Sequence, residues 1–563
     1  MSISSGQRGF AAGTKYSVAG AKIAVLASHH RSQLHWNIRR EVLESAAPPA
    51  GRHCVYNSTA GGLLLDQAPA AADYAHHRFR TVMGLMRLFA HDGSRLESLD
   101  PTRVHMIGFE ELPWFSSVFI SDKQIVIQRA ESDSGAVCVP WKVGDRGEML
   151  LSSSTLMERE EPYFLEVELA RGLVHRLRNQ LEAWRQLGLT VPPDLDEEVL
   201  AATRHFARAA SRQHEPETAA SEANQAIESA VAAGERLAAV YAQQALGIRT
   251  RNAPLHTLLG VDLSGELPQE DLRESITDTF NLVSLPMSWR DIEASEGKRN
   301  WDNTDTELRW AQKNGLKVVG GPLLEFDERR VPDWTYLWEG DYDTLSSFML
   351  DHVRHTVKRY RSKVHLWHVA ARMNRPRVLS LGDEDRLQIV ASAIHAIRDL
   401  DQRTPIVVSF DQPWAEYMST QQTDLAPMHF ADALVRADLG VSGLGLELNI
   451  GSQPLATAPR PALAFSRLVD QWGLFELPLF LMLTIDTRRS RDKQANGGHS
   501  NTRAEWVERY LPPLLAKNCV QVVVWNQLSD KGAEFPGAGL FDDQDRAKPV
   551  LSALAGLRKQ YLA

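Results

Sequence analysis

The chain has 563 residues, of which 43% are hydrophobic and 24% charged, with a formal net charge of −9. That length exceeds one ordinary domain and predicts two or three. The composition is globular, and the acidic balance gives no basic footprint for nucleic acid or anionic lipid, so neither is expected as a partner.

Three cysteines, Cys54, Cys138 and Cys519, lie far apart with no C-x-x-C pair. This pattern disfavours a disulfide framework and a structural zinc site, and no metal or cofactor is expected. No apolar run reaches the roughly 18 residues of a membrane span. The start lacks the charged-then-apolar layout of a secretory leader, and Ile23–Ala27 is too short for a leader core. The expectation is a cytoplasmic protein or a misplaced start. Residues 1–82 mix Gly, Ala, His and Arg without periodicity, and read equally as a disordered tail or as sequence upstream of the true start.

Periodic sequence begins near Met83 and Met86. Over 83–165, "SVFISDKQIVIQR" and "YFLEVELA" alternate partly between apolar and polar residues, and "GAVCVPWKVGDRGEMLLSSS" is punctuated by Gly and Pro. These features predict a small β-rich, sandwich-like domain that either binds carbohydrate or serves only in packing. Trp114 and Trp141 are read as core residues in preference to stacking platforms for a sugar. Residues 166–250 turn helical. "VELARGLVHRLRNQLEAWRQLG" stops at a glycine, a second helix opens with Asp194 and Asp196 after Pro192–Pro193, and an Ala-rich third runs over about 217–246. They predict a helical connector built on an αα-hairpin.

From 251 to 563 the rhythm is β-then-α. Eight candidate strands, "LHTLLGVDL", "FNLVSLPMSW", "LKVVGGPLLEF", "VHLWHVAAR", "PIVVSFDQ", "GLGLELNI", "LPLFLMLTID" and "VQVVVWNQL", alternate with helical stretches. Near-continuous apolar strands fit a parallel sheet covered by helices, and eight units fit a closed (β/α)8 TIM barrel. An open doubly wound sheet would want a Gly-rich phosphate loop after its first strand, and "GVDLSGELPQ" supplies none. The predicted class is therefore α/β, with a C-terminal barrel preceded by the β-rich domain and the helical connector.

Active sites of such barrels lie at the C-terminal strand ends. Those ends carry Glu325 and Asp327; His368, Arg372, Asn374 and Arg375; Asp411 and Trp414; Glu447 and Asn449; Asp486, Arg488 and Arg489; and Trp525, Asn526, Gln527 and Asp530. Unpaired buried charge is costly, so these groups should converge on a mouth that meets ligand or solvent. The loop "DKQANGGHSN" reads equally as a lid or as plain surface. His368, His429 and His499 lack metal-ligand spacing.

The ordered motifs resemble glycoside hydrolase family 10, the xylanase family. "FNLVSLPMSWRDIEASEGKRNWDNTDTELRWAQKNGLKVVGGPLLEFDERRVPDW" is similar to its second-to-third-strand region. "RYRSKVHLWHVAAR" is similar to R-Y-K-x-x-x-x-x-W-D-V-V-N-E, "GLGLELNI" to G-I-G-x-Q-x-H, and "LPLFLMLTID" to P-x-x-I-T-E-L-D. "VVVWNQLSDKGAEFPGAGLFDDQDRAKPVLSAL" is similar to T-V-W-G-x-x-D with its Trp loop, L-L-F-D and K-P-A-Y. Scaffold positions are kept at Trp289, Glu296, Gly297, Trp334, Trp367, Gly443, Gly445, Asp486, Trp525, Asp530 and Pro549.

The resemblance implies a carbohydrate ligand and a retaining mechanism, which needs two carboxyl groups about 5–5.5 Å apart. It places Arg372 and Thr484 where the family has its acid/base and nucleophilic glutamates. Ser284 and Leu285 replace the E-N pair, Pro322 the His of R-G-H, and Glu447 and Asn449 the Gln and His of the sixth strand. Arginine, with a pKa above about 12, cannot act as a general acid, and Thr484 lacks an evident base.

Three expectations follow. The first is a glycosidase with relocated carboxylates among Glu447, Asp486 and Glu325. The second is a pseudoenzyme that binds an acidic glycan through Arg372, Arg375, Arg488 and Arg489. The third is a scaffold acting through its helices. For the first two, substrate-binding residues are expected among His368, Arg372, Asn374, Asn449, Arg488, Trp525, Asn526 and Gln527.

Overall fold

The computed structural model describes residues 84–563 apart from 264, 266, 376–377, 424, 452–455, 487–501 and 536. The expectations for residues 1–82, for Arg488 and Arg489, and for the loop carrying His499 lie outside the described residues.

The N-terminal strands are β1 (Gly84–Phe89), β2 (His105–Ile107), β3 (Ser117–Ser121), β4 (Gln124–Arg129), β5 (Ala136–Lys142), β6 (Glu148–Ser152) and β7 (Tyr163–Phe164). They form a four-stranded sheet in the order β3-β4-β1-β7 and a three-stranded sheet β2-β5-β6. Alternation is plain in β1, where Met86 and Leu88 point into the core and Leu85 and Arg87 lie half-buried. Three helices follow: α1 (Leu165–Gln186), α2 (Pro193–Ser211) and α3 (Pro216–Arg249). The alternation read over "YFLEVELA" is a strand for two residues only. Leu, Glu and Ala favour helix, and Glu166 and Glu168 sit in the first turn of α1, where carboxylates suit the helix dipole. One apolar core joins the sheets to the helices, with Leu88, Ile127, Val139, Leu177 and Ile227 among its members.

The barrel strands are β8 (Leu258–Asp262), β9 (Leu282–Leu285), β10 (Lys317–Gly320), β11 (Leu324–Glu325), β12 (Leu366–Ala371), β13 (Ile406–Asp411), β14 (Gly443–Ile450), β15 (Leu479–Ile485) and β16 (Val520–Trp525). All pair in parallel. β16 pairs with β8, and β10 pairs with β12 through Val319–Leu366 and Gly320–Trp367, which closes the ring. The stretch read as one third strand breaks at Gly321–Pro322 into β10 and the two-residue β11, because proline gives the ladder no donor.

Side chains alternate along each strand, so residues two apart share a face. One apolar cluster, holding Leu282, Val319, Val407, Phe480, Val522 and Val524, fills the barrel's interior. The same face continues toward the C-terminal ends as Ser409 and Asp411 on β13, Glu447 and Asn449 on β14, and Thr484 on β15. The opposite face carries Phe410, Leu446, Leu481 and Val523 into the shell of helices.

The N-terminal part meets the barrel at the loops that follow β13 and β14. Ser116 N–H donates to the Ser419 carbonyl at 3.2 Å and Leu150 N–H to the Pro459 carbonyl at 2.7 Å. Between those loops Arg460 pairs with Glu416 at 3.0 Å and lies 4.6 Å from the Trp414 ring centre. Helix α3 packs along the barrel helices Ala462–Trp472 and Thr502–Leu515.

Candidate active site

The mouth centres on Arg372, which follows β12 and is 3% exposed. Its φ of 60° is the left-handed conformation, which strains any residue with a Cβ. The turn throws the side chain across the barrel. Its Nε donates to Glu447 at 3.0 Å. Its Nη1 reaches Glu325 and Asp327, each at 3.3 Å, and Glu534 at 2.9 Å. Four carboxylates from three segments thus meet on one guanidinium. Glu325 is also held by Arg330 at 3.4 Å, and Arg329 bridges Asp327 at 3.1 Å and Glu534 at 2.6 Å. Burial disfavours charge on Arg372, but Glu534, Glu447, Glu325 and Asp411 outweigh it and raise its pKa well above normal. Burial likewise opposes ionisation of Asp327, yet Arg372 and Arg329 hold its carboxyl down at about 2.

Glu447 is 2% exposed and both its oxygens are committed. Oε2 accepts from Arg372, and Oε1 accepts from the Ser409 hydroxyl at 2.7 Å. Burial pushes this carboxyl up to about 7, despite Arg372, and the negative charge of Asp411 adds to the rise. Ser409 Oγ lies 2.9 Å from His368 Nε2. Because the hydroxyl gives its only proton to Glu447, His368 donates from Nε2, and burial keeps the ring neutral with a pKa of about 4. Glu447, Ser409 and His368 form one buried chain.

A second layer lies beside it. Arg375 pairs with Asp411, both 2% exposed. Asn374 clasps the end of β13, donating to the Asp411 carbonyl at 2.9 Å and accepting from its N–H at 3.1 Å. Among the described residues, Asn449 Oδ1, Thr484 Oγ1, Gln412 Oε1 and Arg375 Nε are buried without a hydrogen-bond partner. Asn449 and Thr484 are direct neighbours in the β14–β15 ladder. Such orphans are rare in folded proteins and mark a place where a ligand or water completes the pairing.

The remaining expected residues are placed differently. Trp525 turns outward into the helical shell and donates its indole N–H to the Ala538 carbonyl at 3.1 Å. Gln527 is engaged by the loop after β16, donating to the Phe535 carbonyl at 2.8 Å and accepting from its N–H at 3.0 Å. Asn526 is half-buried, and its N–H donates to the Leu483 carbonyl at 2.8 Å. Asp486 follows β15, beside Gly451, and its N–H donates to the Ile450 carbonyl at 2.8 Å. Ser409, Gln412 and Glu534 escaped the sequence reading. Ser409 sits inside an apolar strand, where only period-two counting from Asp411 points it inward. Glu534 stands in a Gly-rich loop with no local pattern to flag it.

Among the described residues, no three His, Cys, Asp or Glu side chains gather as a metal site, and no helix is long and apolar enough to cross a membrane. Comparison with known proteins places residues 256–376 on the profile of Glycosyl hydrolase family 10. Endo-1,4-beta-xylanase 3 of Hypocrea jecorina is 23% identical over 288 residues, which span 48% of this chain and 73% of the relative. Endo-1,4-beta-xylanase A of Fusarium oxysporum is 25% identical over 277 residues, 47% of this chain and 82% of the relative. Among solved structures, native xylanase 10B from Thermotoga maritima covers 57% of this chain and 98% of its own length, at 15% identity and a TM-score of 0.44. With the closed parallel ring, the order of its motifs and the profile match over its first strands, the C-terminal part of this chain is a (β/α)8 barrel that resembles glycosyl hydrolase family 10.

Proposed function

We propose that this glycoside hydrolase-like protein binds a neutral poly- or oligosaccharide at its barrel mouth, without cleaving it by a two-glutamate route. The observation that carries this reading is the cage around Arg372. By the resemblance, Arg372 occupies the acid/base position, and it holds Glu447 and Glu325, two of the three carboxylates expected in place of the missing pair. A retaining glycosidase needs one carboxyl free to give a proton and another free to attack. Carboxylates locked on one buried guanidinium do neither.

The same cage argues for an uncharged ligand. Arg372 and Arg375 are already neutralised by acids, so neither offers a free positive charge to a uronate or sulfate. The orphaned atoms are instead two amide oxygens, a hydroxyl and one guanidinium N–H, a mixture that suits sugar hydroxyls, which both donate and accept. The test is titration with xylohexaose beside a polygalacturonate oligomer, with reducing ends assayed in parallel. Binding of the neutral sugar without new reducing ends, weakened by Asn449→Leu and Thr484→Val, is expected. Preferential binding of the acidic oligomer would overturn the neutral-ligand reading.

One observation favours hydrolysis as a second reading. Glu447, raised to about 7, is protonated in part at neutral pH and has the acidity of a general acid. Release of reducing ends that Glu447→Gln abolishes would establish that reading in place of the first.

A further inference from the structure

The N-terminal part carries a cleft of about 700 Å³, well within the range of small-molecule sites. It lies between the turn after β1, the β3–β4 hairpin, and the first turns of α1 and α3, and belongs to no part of the barrel mouth. Helix α3 presents Glu217, Ala220, Ser221 and Asn224 to it, the one-face spacing of a helix. Among the described residues that line it, Ala220 is the only aliphatic one, so the cleft suits a hydrophilic occupant.

Its charge is one-sided. Asp92, Glu97, Asp122, Glu166 and Glu217 face Arg95 and Lys123. Arg95 is already engaged: it pairs with Asp92 at 3.4 Å, donates to Asn224 Oδ1 at 3.1 Å and lies 4.9 Å from the Trp141 ring centre. An independent observation comes from Glu166. This residue is 1% exposed, its Oε1 accepts from the His91 N–H at 3.1 Å, and its Oε2 is buried with no hydrogen-bond partner among the described residues. A buried carboxylate oxygen left open at an acid-rich cleft calls for a cationic donor.

We propose that this cleft is a second ligand site, for a small hydrophilic amine whose ammonium group is drawn to Glu166 and whose remaining polar groups meet Ser94, Ser221 and Asn224. A bare metal ion is a poorer occupant, since among the described residues no three ligating side chains gather there. Burial also raises the Glu166 carboxyl, with backbone N–H groups of Glu166 and His91 opposing, so an arriving cation favours the ionised form.

The test is calorimetric titration of the full chain with glucosamine and putrescine, with glucose as the uncharged control. Saturable binding of at least one amine and none of glucose is expected. Glu166→Gln should weaken that binding by about tenfold or more. Ser221→Trp, at an exposed helix position, should block the cleft while the fold is kept. If Glu166→Gln fails to fold, the Ser221→Trp variant decides. Glucose binding as well as glucosamine, neither amine binding, or amine affinity unchanged in a folded variant would each overturn the proposal.

Discussion

Arg372 ties β14 through Glu447, β11 and the loop after it through Glu325 and Asp327, and the loop after β16 through Glu534. Removing one partner of a buried charge network leaves the others unpaired in low dielectric, which costs about 3–5 kcal/mol. Arg372→Met is therefore expected to lower stability by that order in chemical denaturation. Arg372→Lys should recover little, because one ammonium cannot serve Nε and Nη1 positions on opposite sides. Arg372→Glu adds a fifth carboxylate to four, so it should destabilise further and yield no reducing ends from xylan. Glu447 gives a pH prediction. Its folded pKa of about 7 lies above the ordinary 4.5. The protonated form is thus favoured by folding, and the stability it adds is complete below pH 4.5 and lost as pH rises toward 7. Glu447→Gln should flatten stability against pH across that window, and an unchanged slope would refute the assignment. At this scale the sequence was partly legible. Arg372 stood out because arginine at an acid position breaks a chemical rule. Its partner Glu534 did not, because a contact across 162 residues leaves no local trace.

At the scale of the element, the strands were the most legible feature, because burial on both faces demands long apolar runs and little else in a sequence produces eight of them in order. What periodicity blurred were the boundaries. β7 ends after two residues where helix-forming Leu and Glu take over, and β10 stops where Pro322 interrupts the ladder. Gly443 and Gly445, read as kept scaffold positions, have a packing reason. A Cβ on Gly445 would lie 2.6 Å from Ser409 Cβ, and one on Gly443 would lie 2.9 Å from the Pro478 carbonyl oxygen. β14 thus lies close against β13 and β15, and Gly445 lets the Ser409 hydroxyl reach Glu447. Overpacking of this kind costs about 1–3 kcal/mol. Gly445→Ala is expected to lose that much stability in urea denaturation and to shift the pH slope assigned to Glu447, since Ser409 must move. A fully stable Gly445→Ala variant would mean that the strands can separate freely.

For the whole molecule, the question is whether the N-terminal part and the barrel fold as one. Helix α3 answers it by belonging to both cores. Ala223, Ile227, Val231 and Leu237 pack with the N-terminal sheets and helices, whereas Ala238, Ala242 and Leu246 pack with the barrel shell. At the crossing point Glu235, 8% exposed, accepts from Arg146 on the turn after β5 at 3.0 Å and from Arg509 and Tyr510 of a barrel helix, each at 3.4 Å. A helix with one continuous hydrogen-bond ladder cannot melt at one end of this crossing without exposing apolar surface at the other. Calorimetry should therefore show a single unfolding transition at neutral pH. Leu246→Ala, which empties a fully buried site on the barrel side, should lower stability by about 2–5 kcal/mol. Its effect should appear equally in signals from the N-terminal Trp141 and from the barrel, because the loss is shared through α3. Two separated transitions, or a Leu246→Ala effect confined to the barrel, would mean that the two cores are independent and that the seam of Ser419, Pro459 and Glu235 only docks one on the other.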